Sequence, residues 1–198
     1  VSDLCQKYNS FFHTDAVQAV GHYKVDLKSF NIDFLSSAAH KFHGPKGVGF
    51  TFINKSAKIK SFICGGPQER GLRAGTESVH NIVGMTKALE IAVENMEQEA
   101  KYVLSIKEYM IESLRKLFPD IHFNGESGNI KNSTYTILNV CFPLSNDKAA
   151  MLDFNLDLRG IACSKGSACQ SGSSEGSHVL SEIQSEDQKK FPSVRFSF

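Results

Sequence analysis

The chain places a lysine where an amine can do carbonyl chemistry. Ala39-His40-Lys41-Phe42-His43-Gly44-Pro45-Lys46-Gly47 sets a His-Lys pair after a strand-like run and before a Gly-Pro turn that opens the next strand. An amine that condenses with an aldehyde needs a strand end and a partly desolvated pocket, where its pKa can fall. A lysine in a turn is otherwise a solvated surface group. Upstream, Asp15-Ala16-Val17-Gln18 follows another strand-like run. A carboxylate facing a pyridine nitrogen keeps that ring protonated and electron-withdrawing, and an amide three residues on can reach a ring hydroxyl. An isolated Asp after a strand also serves as a backbone cap, and that alternative stands beside the first.

Two further groups draw attention. Ser164 to Ser177 is rich in Ser and Gly and carries one thiol, Cys169, near its centre. Loops of small residues can swing a reactive group between a pocket and solvent, and Lys165 nearby favours the thiolate. A tolerated thiol in a loop tip is the plainer alternative. Arg195, flanked by Val194 and Phe196, needs an anionic partner: a structural salt bridge or the carboxylate of a bound amino acid. Thr76 closes a Gly-rich stretch whose backbone amides can approach an anion ahead of a helix, or simply caps that helix. Cys64, Cys141 and Cys163 read as small buried hydrophobes. Cys163, Cys169 and His178 lack the two-residue separations of a zinc knuckle, so no metal site is expected.

These groups need elements to hold them. Residues 11–14, 33–36 and 47–53 read as short strands joined by chemically loaded loops. From Val79 the apolar spacing becomes helical: Val79, Ile82, Val83, Leu89, Val93 and Met96 share a face, and Val103 to Leu117 continue the pattern until Pro119. Two helices or one bridging helix fit it, with the domain junction there. Beyond lie a β-favouring segment at 133–142, a helix at 148–156 and a strand at 158–163.

The chain's 198 residues, 41% apolar and 22% charged, suit a globular protein. A net charge of +1 gives no basic excess for nucleic acid. No run approaches the roughly 18 apolar residues of a membrane helix, and five cysteines, an odd number, argue for reduced thiols in the cytoplasm.

Four strings, Thr14 to Gln18, His40 to Gly49, Gly65 to Glu77, and Gly166 to Cys169 followed by Ser177 to Leu180, together resemble the cysteine desulfurases of the nitrogen-fixation and iron-sulfur-cluster type, within the class V aminotransferases. The resemblance is to the C-terminal half of such enzymes. It implies an α/β fold: residues 1–95 as part of a pyridoxal-phosphate (PLP) large domain of the aspartate aminotransferase kind, and 96–198 as a smaller α+β domain. It implies that Lys41 carries PLP, Asp15 pairs with the pyridinium, Gln18 bonds the ring hydroxyl, and His40 is a phosphate ligand or proton-transfer group. Thr76 would reach the PLP phosphate of a partner in a homodimer, and Arg195 would bind the carboxylate of L-cysteine. Cys169 would take sulfur as a persulfide, in the longer-loop subgroup that serves an iron-sulfur scaffold or another sulfur acceptor. A selenocysteine lyase, another class V enzyme or a non-catalytic domain are the alternatives, and low activity is expected of this chain alone. Ala38 stands where the family usually has a phosphate-binding Ser, so that contact is either missing or supplied by a neighbour, with Ser36 and Ser37 just upstream; Pro67 replaces a glycine, and Gly176 a proline.

Overall fold

The structure is a computed structural model and describes residues 1–144, 148–149, 151–164 and 177–198. The chain divides into two units, Val1–Gln98 and Glu99–Phe198.

In the first unit, a short helix α1 (Ser2–Lys7) leads to β1 (His13–Asp15), β2 (Phe34–Ala38) and β3 (Gly49–Ile53). They form one sheet in the order β1-β2-β3, with β1 parallel to β2 and β3 antiparallel to it. Alternation along the strands sends Leu35, Phe50 and Phe52 to one face. There they pack with Ala16, Val20, Ala39 and Phe42, and with Met85, Ala88, Leu89 and Ala92 of the long helix α2 (Val79–Leu117).

α2 is a single helix of 39 residues, so the bridging alternative is the one realised. Its interior has no proline, and its one glycine, Gly84, sits where an added Cβ would lie 2.8 Å from Pro45 Cγ. Pro119 cannot continue the helical hydrogen bonding, and the helix stops two residues before it. The buried stripe matches the expected one only in part, at Leu89, Met110 and Leu114. Val79, Val83 and Val93 are exposed, whereas Ala88 and Ala92 face the core. Alanines let α2 approach Phe42 closely, which a count of large apolar residues does not register.

In the second unit, β4 (His122–Phe123), β5 (Ile137–Cys141) and β6 (Ser193–Ser197) form an antiparallel sheet in that order. Leu138, Val140, Val194 and Phe196 line its core face with Ile111, Ile121 and Phe142. Short helices α3 (Leu152–Leu158) and α4 (His178–Ile183) complete the described elements.

Two expectations here are corrected. The segment 133–142 is strand only over Ile137–Cys141, because the backbone of Ser133 and the hydroxyl of Ser133 both bond back to the Asn129 carbonyl. The strand expected over 158–163 does not form. Leu158 ends α3, and Gly160, at φ 74°, turns the chain so that Ile161 N–H donates to the Leu156 carbonyl at 2.9 Å. Only Ser164 reaches the sheet, as a bridge to Arg195.

Candidate cofactor site at the carboxyl ends of the first sheet

Because β1 and β2 are parallel, the chain leaves both at the same end of the sheet, the end beyond which open α/β sheets hold their ligands. Asp15 is the last residue of β1 and lies in register with Ser36; β2 runs on two residues to Ala38. A tight turn of 3-10 helix, Ala39–Phe42, follows directly. With three residues per turn, positions i and i+3 share a side. Ala39 and Phe42 accordingly point inward, at 0% and 1% exposure, and His40 and Lys41 are left on the outer side, His40 exposed and Lys41 half-buried.

The backbone under Lys41 is tightly held. His43 adopts a left-handed conformation, and Gly44 N–H donates to the Ala39 carbonyl at 2.8 Å. His22 Nε2 lies 3.1 Å from the Lys41 carbonyl oxygen, which can only accept, so this imidazole nitrogen carries the proton. At Gly21, φ +85°, an added Cβ would sit 2.6 Å from Phe42 Cβ. Gly49, paired with Ala38, has no room for a side chain against the Ser37 carbonyl.

Asp15 Oδ1 accepts from Val17 N–H at 2.9 Å, so the backbone-capping alternative is realised through one carboxylate oxygen. The side chain is nonetheless exposed, and Gln18 is exposed in the turn that Asp15 starts. Sequence reasoning missed two neighbours, His13 and His22. His13 precedes Asp15 by two, hence shares its strand face, and its Nε2 lies 2.9 Å from Ser36 Oγ. The i−2 spacing in a strand is the signal that would have found His13; nothing local points to His22. Ser37, beside the Ala38 departure, is buried with its hydroxyl unpartnered among the described residues, on the opposite face from Ser36.

Thr76 lies on the exposed segment that leads into α2, three residues ahead of Val79. That segment is braced by Gly75 N–H donating to Gln68 Oε1 at 3.2 Å and by Ala74 N–H donating to the Ile63 carbonyl at 3.1 Å. Thr76 makes no hydrogen bond to Asp15, His40 or Lys41 among the described residues. Cys64, on the same segment, is exposed and not buried as expected, since no strand or helix there covers it. Cys141 is buried, and burial pushes its thiol up, so it holds its proton. Cys163 is half-buried against the second core.

In the second unit, Arg195 pairs with Asn139 across β5 and β6 and exchanges backbone hydrogen bonds with Ser164 at 2.8 and 3.0 Å. Its Nε is buried without a hydrogen-bond partner, and no carboxylate pairs with it among the described residues. Among the described residues, then, the structural salt bridge is not realised. Cys169 lies outside the described residues.

A family model for aminotransferase class-V matches residues 1–198, the whole chain. The chain belongs to the class-V aminotransferase family. The cysteine desulfurase IscS of Dictyoglomus turgidum is 41% identical over 198 residues, covering all of this chain and 49% of that protein. The putative cysteine desulfurase IscS 1 of Bacillus subtilis is 38% identical over 199 residues, again covering all of this chain and 51% of that one. Among solved structures, a NifS-like protein superposes with a TM-score of 0.80 at 34% identity, over 98% of this chain and 49% of its own. SspA in complex with cysteine gives 0.74 at 30% identity, over all of this chain and 52% of its own. The α/β fold is that of these NifS-like enzymes. The chain spans about half the length of the curated relatives it matches.

Class-V aminotransferases are PLP enzymes, and the donor set at the first sheet's carboxyl end suits that group. It offers a carboxylate with one oxygen uncommitted among the described residues, an exposed amide, an imidazole and an amine, on a turn whose buried residues fix its course. The orphaned Arg195 Nε suits an anion in the same way.

Proposed function

We propose that this chain is part of a PLP-dependent cysteine desulfurase that converts L-cysteine to L-alanine. The observation that carries this reading is that parallel pairing of β1 and β2 puts Asp15 and Gln18 at the same sheet end as His40 and Lys41. On this reading the first unit is part of the cofactor-binding large domain and the second is the small domain.

Lys41 Nζ is the amine that attaches the cofactor, and His22 holds the backbone it projects from. Asp15 keeps the ring nitrogen protonated, Gln18 donates to the ring hydroxyl, and His40 is a phosphate ligand or proton-transfer group. Bound PLP supplies the electron sink that accepts charge from the substrate's carbons. Arg195 binds the substrate carboxylate with its guanidinium fork. The Cys169 thiolate attacks the substrate sulfur. An S–S bond forms as the Cβ–S bond breaks, the electron pair goes to carbon, and a proton takes sulfur's place there. Alanine leaves and Cys169 is left as a persulfide, for transfer to an iron-sulfur scaffold or another acceptor in the cytoplasm. The enzyme acts as a homodimer, in which Thr76 binds the partner subunit's PLP phosphate.

The test uses the full-length protein. Incubated with PLP, the wild type should gain the cofactor's visible absorption and then release sulfide and alanine from cysteine. Lys41→Ala should lose the absorption, and Cys169→Ser should keep it while losing cysteine turnover by at least about 100-fold, the scale of a lost nucleophile. Absorption unaffected by Lys41→Ala sinks the cofactor assignment. Turnover retained in Cys169→Ser sinks the persulfide step and favours a selenocysteine-lyase type of reaction.

A further inference from the structure

The second unit carries an open cleft of about 620 Å³ that none of the proposed chemistry uses. Its walls are Arg115 near the end of α2, the residues of β4 and the turn from Gly125 to Lys131. Arg115 is set in place by stacking: its guanidinium carbon lies 5.4 Å from the centroid of the Phe123 ring. An added Cβ at Gly128 would lie 2.7 Å from that ring's Cγ, so the ring has backbone packed against it as well as the guanidinium. Stacking engages the face of a guanidinium and leaves its in-plane N–H groups unspent. Arg115 has no hydrogen bond or ion pair to protein among the described residues, and neither has the Lys131 ammonium. His122 adds a third nitrogen base to the lining. The one carboxylate there, Glu126, already accepts from Asn129 Nδ2 at 2.9 Å. Two cations, with no protein partner among the described residues, thus share the cleft with one carboxylate, whose hydrogen bond is to a neutral amide.

The turn opposite Arg115 is fixed before any ligand arrives. Lys107 Nζ donates to Ser133 Oγ at 2.8 Å and to the Thr134 carbonyl at 2.7 Å, and Ser133 Oγ donates onward to the Asn129 carbonyl at 2.8 Å. A wall held in this way loses little entropy on binding.

We propose that this cleft docks an acidic segment of a partner protein, with a carboxylate in the Arg115 fork, Lys131 as the second cation, and Ile121 and Ile130 as the apolar floor. A planar fork matches a carboxylate bidentately. The mixed apolar and cationic lining fits a peptide that alternates acidic and apolar side chains. The open shape favours a peptide over a free metabolite, whose sites enclose most of the ligand's surface. The assignment does not rest on the reading of Lys41 and Cys169.

The experiment uses the full-length protein and a fluorescein-labelled peptide of alternating Glu and Leu, followed by anisotropy at low ionic strength, with a Lys/Leu peptide and inorganic phosphate as comparisons. The acidic peptide should bind, and its affinity should fall with added salt. It should weaken about tenfold in Arg115→Gln and several-fold in Lys131→Ala, and Arg115→Lys should fail to restore it fully because the fork is lost. Lys116→Ala, outside the lining, should bind as the wild type does. Lys131→Ala alone decides the matter should Arg115→Gln fold poorly. Equal binding of the two peptides, an affinity indifferent to both substitutions, or phosphate binding here without the peptide would each overturn the proposal.

Discussion

At the scale of single residues, the lysine turn depends on groups that do no chemistry themselves. Phe42 is buried against Gly21 and Ala92, and its burial is what turns the neighbouring Lys41 outward. Gly21→Ala places a methyl group 2.6 Å from Phe42 Cβ, on a backbone at φ +85° that alanine adopts poorly. Backbone strain and overpacking together cost about 2 to 4 kcal/mol. Urea unfolding of Gly21→Ala should show a loss of that order, and PLP affinity should fall with it as the turn shifts. A fully stable variant would show that the turn yields without cost. This dependence also marks the limit of what the sequence discloses. Lys41, His40, Asp15 and Gln18 are legible because their types and spacing state a chemistry. His22 is not, because it reaches the site only through a contact between residues 19 positions apart.

At the scale of elements, α2 was legible as helix from its apolar period and its Pro119 stop, but its buried face only in part: Leu89, Met110 and Leu114 pack on the cores as their spacing predicts, while Ala88, Ala92 and Lys107 share that face without an apolar signal of their own. Lys107 is fully buried, with no carboxylate partner among the described residues and two neutral acceptors on its ammonium. Burial pushes its pKa down from 10.5. The folded chain therefore releases this proton at a lower pH than the unfolded chain does. Between the lowered value and 10.5 the unfolded state binds more protons, so stability climbs with pH; below that interval the cost of the buried charge is present in full. Lys107→Met keeps the aliphatic stem and removes the charge. Urea midpoints measured from pH 7 to 10 should move in the wild type's favour relative to Lys107→Met as pH rises. A difference that stays flat would show that the ammonium reaches solvent. The strand ends were less legible than the helix for a related reason. Ser133 and Gly160 redirect the backbone by local hydrogen bonds that β-propensity does not weigh.

At the scale of the whole molecule, the surface is informative because some of it is too apolar to face water. Phe62 is 97% exposed, and Ile59 and Ile63 beside it are exposed as well, on the segment that ends at Thr76. A lone exposed apolar residue is ordinary, but three within five positions beside a proposed cofactor contact ask for a cover. In the proposed homodimer that cover is the partner subunit, and in a two-fold interface each contact occurs twice. Burying one Phe side chain is worth roughly 1.5 to 3 kcal/mol, so Phe62→Asp, which also places a charge there, removes about 3 to 6 kcal/mol from association. That corresponds to a dimer dissociation constant on the order of 100-fold or more weaker. Sedimentation equilibrium of the full-length protein should show this loss. It should be accompanied by weaker PLP retention, because Thr76 would no longer be held at the partner's phosphate. A dimer of unchanged affinity in Phe62→Asp would place the interface elsewhere and leave this patch without its cover. A dimer weakened with PLP retention intact would separate the patch from Thr76 and remove Thr76 from the cofactor site.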